Sequence, residues 1–225
     1  ALACKKAGVA YLYTKKNNAW SKRWFAKSVL SSSIAYNNPD MQKRFFSHWL
    51  LKRKIYFIPH GIDTTVFKPF DSKKAQDQFT IGCIGVIGDN KNQLLLLEAL
   101  KELPKNVSVQ FYGKEDEVYK KLLEKFIITN DLANQVSFNG FISNTDIPKI
   151  MSQFDVLVLA SKNEGLPLSI MEAMACQVSV LSSNSGGGAR YLLENNQGGF
   201  IFETKDALVT QLIQLQNDNQ LKVEL

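Results

Sequence analysis

The chain has 225 residues, 45% of them hydrophobic and 21% charged, the ordinary balance of a globular protein, and this length suits one large domain or one domain with part of a second. No apolar run approaches the ~20 residues that a bilayer-crossing helix needs, and Ala1-Leu2-Ala3 runs at once into Cys4-Lys5-Lys6 rather than into a signal-peptide pattern. Two histidines, His48 and His60, and three scattered cysteines argue against an imidazole metal site or a disulfide framework, whereas a net charge of +6, concentrated at one end, points to an anionic partner.

Residues 1–54 hold that charge: twelve Lys or Arg stand against the single acid Asp40, and the rest of the chain is net acidic. Aromatic residues are interleaved with the basic ones. Trp20, Trp24 and Phe25 lie among Lys22, Arg23 and Lys27, and Phe45, Phe46 and Trp49 lie among Lys43, Arg44, Lys52, Arg53 and Lys54. Such interleaving suits helices resting on an anionic membrane surface. The plainer alternative is a set of core helices with a basic outer face; nucleic acid would attract the same charges, but no recognition motif for it is present. The order along this stretch is a helix end (1–7), a strand (9–13), a basic helix, a second strand (29–36) and another helix, the closing half of a separate α/β domain. A hinge is expected at Pro59-His60-Gly61-Ile62-Asp63.

From residue 55 onward short apolar runs alternate with helical patterns. Strands are predicted at 55–58, 79–87, 107–112, 136–138, 155–160, 178–182 and 199–202, and helices at 91–103, 117–127, 145–154, 167–176, 189–194 and 206–217. Asn90 and Ser143 or Asn144 are the expected N-caps. Strands rich in Val, Ile and Leu with little alternation are those buried on both faces, so the succession predicts an α/β fold, a Rossmann-like parallel sheet covered by helices. The division expected is 1–54, an incomplete α/β domain; 55–63, the hinge; and 64–225, the Rossmann-like domain. Cys83 in a strand and Cys176 at a helix end read as small hydrophobes in a reducing, cytosolic compartment.

Ligands of such folds bind beyond the C-terminal ends of the strands, and the loops expected there carry the informative residues. Glu164-Gly165-Leu166-Pro167-Leu168 follows one strand, and Glu172 lies inside the next helix. Proline is tolerated in a first helical turn, so Pro167 is expected to open the helix, with Glu172 about 7 Å along its axis at ~1.5 Å per residue. Free N–H groups between the two carboxylates would receive anions or sugar hydroxyls, an arrangement suited to a sugar nucleotide. Against this stands the ordinary use of acidic residues at helix starts, worth about 0.3–1 kcal/mol. Gly82, Gly85 and Gly88 lead through Asp89-Asn90 to Lys91 at a predicted helix start. Lys91 offers positive potential, although the spacing is neither a dinucleotide fingerprint nor a Walker loop and glycines of a packed strand are often only structural. Gly113-Lys114 and Gly140-Phe141 fall at the same edge.

Taken together, Ile58-Pro59-His60-Gly61-Ile62-Asp63, the Gly85–Lys91-Asn92 loop, Phe138-Asn139-Gly140-Phe141 and Ser161…Glu164-Gly165-Leu166-Pro167…Glu172-Ala173-Met174-Ala175 resemble GT-B glycosyltransferases of family 4, well over residues 55–205 and loosely over 1–54. The resemblance implies a retaining transfer of a sugar from a nucleoside diphosphate, UDP- or GDP-linked, to a glycan or lipid-linked acceptor. It implies no cofactor and no metal. Lys91 would bind the diphosphate, with Gly88 in the same loop. Glu164 and the amides of Gly165, Leu166, Pro167 and Leu168 would face the sugar and phosphates, Glu172 the ribose, and Phe141 and Ile142 the base, with Gly113 also part of the donor site. Lys91 and Glu164 would be the catalytic pair. Residues 1–54 would be the end of an acceptor-side domain whose first units precede Ala1, and the helix crossing back to it would follow Leu225. The implied setting is the cytoplasm, at the inner face of the membrane, in surface polysaccharide or glycolipid synthesis. Two positions depart from the family. Val86 stands where an Arg is usual, and Tyr13-Thr14-Lys15-Lys16 where many members have a His, with Lys16 or Arg190 as substitute charges. A nucleotide-sugar-binding module without turnover is the alternative, and an epimerase of the same architecture a third.

Overall fold

The computed structural model describes residues 1–16, 23–70, 78–193, 198–218 and 221. Trp20, Lys22 and the predicted helix end at Glu194 lie outside them. In chain order the described elements begin with α1 (Leu2–Lys6), β1 (Leu12–Lys15), α2 (Trp24–Leu30), β2 (Ser33–Tyr36), α3 (Pro39–Phe45) and β3 (Ile55–Phe57). There follow β4 (Phe79–Ile84), α4 (Gln93–Leu100), β5 (Val107–Tyr112), α5 (Glu117–Thr129), β6 (Val136–Phe138) and α6 (Ile147–Met151). The last are β7 (Val156–Leu159), α7 (Leu168–Ala175), β8 (Ser179–Ser183), α8 (Gly187–Leu192), β9 (Gly199–Phe202) and α9 (Lys205–Asn217).

Six strands form a wholly parallel sheet in the order β6-β5-β4-β7-β8-β9. Within this unit that is the 3-2-1-4-5-6 order of dinucleotide-binding folds, whose switch point lies between the two central strands, here β4 and β7. Side chains of a strand alternate between faces, and β7 shows why its run has no polar position. Val156 and Val158 join Leu96, Leu97, Val109, Leu123 and Leu212 on one face, while Leu157 and Leu159 join Met151, Phe154, Ile170 and Ala173 on the other. Helices α4, α5 and α9 thus cover one face and α6, α7 and α8 the other.

A separate three-stranded parallel sheet, β1-β2-β3, is formed by the N-terminal part. Ile55–Phe57, the beginning of the stretch expected as hinge, pairs with β2 as its third strand. The strands here lie later than predicted: Leu12–Lys15 rather than 9–13, and Ser33–Tyr36 rather than 29–36, because α2 continues to Leu30 and takes the apolar Val29-Leu30 pair into a helix. A small cluster of Trp24, Ile34, Tyr36, Met41, Phe45, Phe46 and Leu51 holds this half together. Asn38 caps α3 through a hydrogen bond from the Asp40 N–H, and Pro39 fills the first turn.

Five helix starts differ from expectation by one or two residues, and three of them have a clear local reason. Lys91 belongs to a single 3-10 turn, Asp89–Lys91, and α4 begins only at Gln93, after Asn92 has taken the left-handed conformation at φ 52°. Asn90 is therefore not the cap. Pro167 has ψ 115°, so it caps α7 rather than opening it, and Leu168 is the first helical residue. Asp146, not Ser143 or Asn144, immediately precedes α6; the Ser143 hydroxyl instead donates to the Asp146 carboxylate.

Candidate functional site

The loops after β4 and β7 meet across the switch point and are stitched together. Lys91 Nζ lies 2.6 Å from Glu164 Oε1. One turn away, Lys162 Nζ lies 2.5 Å from Asp89 Oδ1, the Lys162 N–H donates to the Asn90 carbonyl at 2.8 Å, and Asn90 Nδ2 donates to the Asn163 carbonyl at 3.1 Å. The two residues that the family resemblance implies as the catalytic pair, 73 positions apart, are thus one half-buried ion pair. Asp89, Asn90 and Lys162 were not anticipated, since nothing in their spacing marks them as partners. Gly88 stands at the head of this turn, its N–H directed to Gln93 Oε1 at 3.3 Å.

Behind the pair, Glu164 donates its N–H to the Ser185 carbonyl at 2.9 Å, so the loop after β8 forms the floor. The next residue, Gly165, is pressed so closely that a Cβ on Gly188 would overlap its carbonyl oxygen. Leu166 is buried, and Leu168 is 45% exposed at the head of α7. No side chain caps α7, and the N–H groups of a first helical turn have no intrahelical acceptors. The hydroxyls of Ser161 and Ser185 are buried without a hydrogen-bond partner. Orphaned buried polar groups are uncommon, and these two lie in the loops after β7 and β8.

Glu172 sits in the second turn of α7, half-buried, with its carboxyl pKa raised by burial. The same burial, helped by the Glu172 charge, lifts the neighbouring Cys176 thiol to about 11. Cys83 on β4 is pushed to about 12 by burial, partly countered by Lys91. Both cysteines are therefore inert apolar fill.

A cavity of about 230 Å³ opens beside β4 and β5, lined by Gly85, Val86, Gly113, Lys114, Phe141 and Ile142 among others. Gly113 has φ 143°, and a Cβ there would overlap the Gly85 carbonyl, so these two strand ends approach as only glycine permits. Phe141 is 68% exposed, with Lys114 Nζ 5.8 Å from its ring centre. The expected donor-site residues Gly113, Phe141 and Ile142 thus share one cavity. A larger hollow, about 690 Å³, lies in the N-terminal half between Tyr36, Lys43, Phe46 and Lys52. None of its lining belongs to the loops that hold Lys91 and Glu164, so the switch-point crevice is the stronger candidate.

The basic N-terminal segment is partly internal. Lys54 Nζ donates to the carbonyls of Val29 and Ser31, closing the end of α2. Lys15, at the end of β1, is buried over the Phe45 ring, and burial together with Arg44 lowers its pKa. Trp24, Phe45 and Phe46 are core, while Phe25, Trp49 and Leu50 are exposed. No helix among the described residues is long and apolar enough to cross a membrane.

Comparison with known proteins accords with this geometry. The chain is 26% identical over 235 aligned residues, 96% of its length, to the UDP-Gal:alpha-D-GlcNAc-diphosphoundecaprenol alpha-1,3-galactosyltransferase of Escherichia coli, covering 60% of that protein. It is 28% identical over 89% of its length to a Campylobacter jejuni alpha-1,4-N-acetyl-D-galactosaminyltransferase acting on an undecaprenol-linked diphosphate glycan, covering 53% of it. The chain thus spans little more than half the length of these relatives. Anabaena HepE, solved in complex with UDP, superimposes with a TM-score of 0.90 at 23% identity over 99% of this chain and 67% of its own, a likeness that establishes the GT-B fold. Residues 66–225 match the model of glycosyl transferases group 1, and the chain belongs to that family.

Proposed function

We propose that the protein is a retaining glycosyltransferase that moves a sugar from a nucleoside-diphosphate sugar to a glycan or lipid-linked acceptor in surface polysaccharide or glycolipid synthesis. The observation that carries this reading is the Lys91–Glu164 pair, held at the switch point between the central strands and flanked by the uncapped start of α7. As the bond from the anomeric carbon to the diphosphate breaks, negative charge grows on the departing nucleotide. A fixed ammonium and helix amides stabilise it most effectively at a site sheltered from water. Lys91 and the amides of Gly165 to Leu168 (Pro167, lacking an N–H, excepted) fill that role. The arriving diphosphate replaces Glu164 as the partner of Lys91, which frees the Glu164 carboxylate for the transferred sugar. Glu172 accepts hydrogen bonds from the ribose, and the base occupies the cavity between Gly113, Phe141 and Ile142. No metal takes part in this scheme, because Lys91 and the helix amides supply the positive potential. The E. coli relative's name specifies UDP-Gal and the Campylobacter relative's an undecaprenol-linked acceptor, which supports UDP and a lipid-linked acceptor. Trp49 and its basic neighbours Lys52 and Arg53 would then bring the enzyme to the inner face of the membrane.

A thermal-shift panel of UDP, GDP, ADP and their sugars tests the site. A ligand that binds only the native state adds about 2.7 kcal/mol of stability at a hundredfold excess over its dissociation constant. The expected result is a shift confined to one base and lost in Lys91→Ala, with transfer reduced about 10²–10³-fold in Glu164→Ala, the usual scale for one electrostatic catalytic group. No shift with any nucleotide would overturn the donor site. One observation favours a second reading, a binding module without turnover: apolar Val86, 55% exposed, lines the cavity where a second cation would steady the diphosphate. A clear shift without transfer would establish that reading instead.

A further inference from the structure

We propose that Asn38 is a positioning residue that locks the N-terminal half onto the Glu164 loop and thereby sets the geometry of transfer; the inference rests on the donor-site reading above. Asn38 follows β2, at the C-terminal edge of the small sheet, and is fully buried. Both ends of its amide are engaged. Oδ1 accepts from the Asp40 N–H at 2.9 Å, capping α3, while Nδ2 donates to the Gly165 carbonyl at 2.6 Å. Because a backbone N–H must donate to one end and a carbonyl must accept from the other, the amide has one orientation.

The bond joins residues 127 positions apart and ends on the residue directly after Glu164. The Gly165 carbonyl is gripped from the other side by α8, where a Cβ on Gly188 would overlap it. That helix is itself seated against the N-terminal half. A Cβ on Gly187 would overlap the Asp40 carboxylate, and the rings of Phe57 and Tyr191 meet edge to face at 5.4 Å. The preceding residue, Asn37, lies 2.7 Å through Nδ2 from His60 Nε2, inside the expected hinge, and its buried Oδ1 has no partner. Two successive asparagines therefore tie the small sheet to the expected hinge and to the donor loop. A displacement on the order of 1 Å at such a loop is enough to slow a reaction that depends on alignment.

Asn38→Ser separates this role from helix capping, since the serine hydroxyl still accepts from the Asp40 N–H but is too short to donate to Gly165. In the full polypeptide the expected result is a fall in kcat of about five- to tenfold, the kinetic equivalent of one hydrogen bond's net worth. Nucleotide affinity and melting temperature should stay near wild type. Spin labels on Lys52→Cys and Lys121→Cys, in a Cys4→Ser background, should show a broader distance distribution between the halves in the variant. An unchanged kcat, or a loss that follows nucleotide affinity or melting temperature in proportion, would overturn the proposal. Should the wild type bind no nucleotide, the donor-site reading fails by itself. The label distances then decide the lock: a broadened distribution in Asn38→Ser sustains it and an unchanged one refutes it.

Discussion

Strands β2 and β7 are both central strands of parallel sheets, yet they are buried for different reasons. Each residue of β7 is sealed, because three helices cover one face and three the other, and alternate side chains enter two separate cores. β2 contributes Ile34 and Tyr36 to a single cluster of seven buried residues, and its neighbours β1 and β3 leave Leu12, Tyr56 and Phe57 exposed. A sheet of six strands sandwiched by helices supplies a rigid base on which two loops, 73 residues apart, register within hydrogen-bonding distance. The smaller sheet instead presents its edge to that site, through Asn38.

The sharpest way to break the contrast is to open each core in turn. Leu97→Ala, in the larger core, should cost about 3–5 kcal/mol and lower the stability of the six-stranded sheet as a unit. Phe46→Ala should cost a similar amount but act locally: amide exchange should accelerate in β1–β3 and α3 while β4, β5 and β7 keep their protection. Uniform acceleration across both sheets would show that the halves fold as one cooperative unit.

A smaller effect concerns Glu172, a carboxyl placed where the larger half excludes water. Burial raises its pKa in the folded state, so ionisation opposes folding. Stability is lost as pH rises from the unfolded carboxyl value through the raised folded one, and Glu172→Gln should recover it. In the unliganded protein the variant should melt higher than wild type at neutral pH and no higher in acid below that window. If the carboxylate serves the ribose, the variant should also bind nucleotide more weakly by about 1.5–3 kcal/mol, the range for hydrogen bonds to charged groups. Higher stability with unchanged affinity would remove Glu172 from the site.

The smallest effect is expected on the outer face of the N-terminal half. Co-sedimentation with vesicles containing phosphatidylserine should weaken by about 1 kcal/mol for each of Lys52 and Arg53 made neutral, and further in Trp49→Ser. Binding equally strong to neutral vesicles, or none to anionic ones, would leave the basic surface without a membrane role.

Element type was largely legible in the chain after residue 78, because buried parallel strands are written as apolar runs and their helices as periodic ones. The N-terminal strands were misplaced by a few residues, since Val29-Leu30 is apolar and short enough to suit either a strand or the last turn of α2. The catalytic candidates could be named from the family resemblance, but not their relation. Glu164 and Lys91 face each other as an ion pair only because β4 and β7 are neighbours. Asn38 gave no signal at all: an asparagine before Pro39 reads as a helix cap, which it also is.

The sequence by itself determined the layers, the strand-helix alternation and the loops that carry polar chemistry, because these follow from local periodicity and from proline, glycine and charge. The tertiary structure alone decided the strand order, and with it the pairing of Lys91 with Glu164, the close fit of Gly188 on Gly165 and the reach of Asn38 across the crevice. Each of these contacts joins segments distant in the chain, so its geometry depends on how the sheets assemble rather than on any local preference.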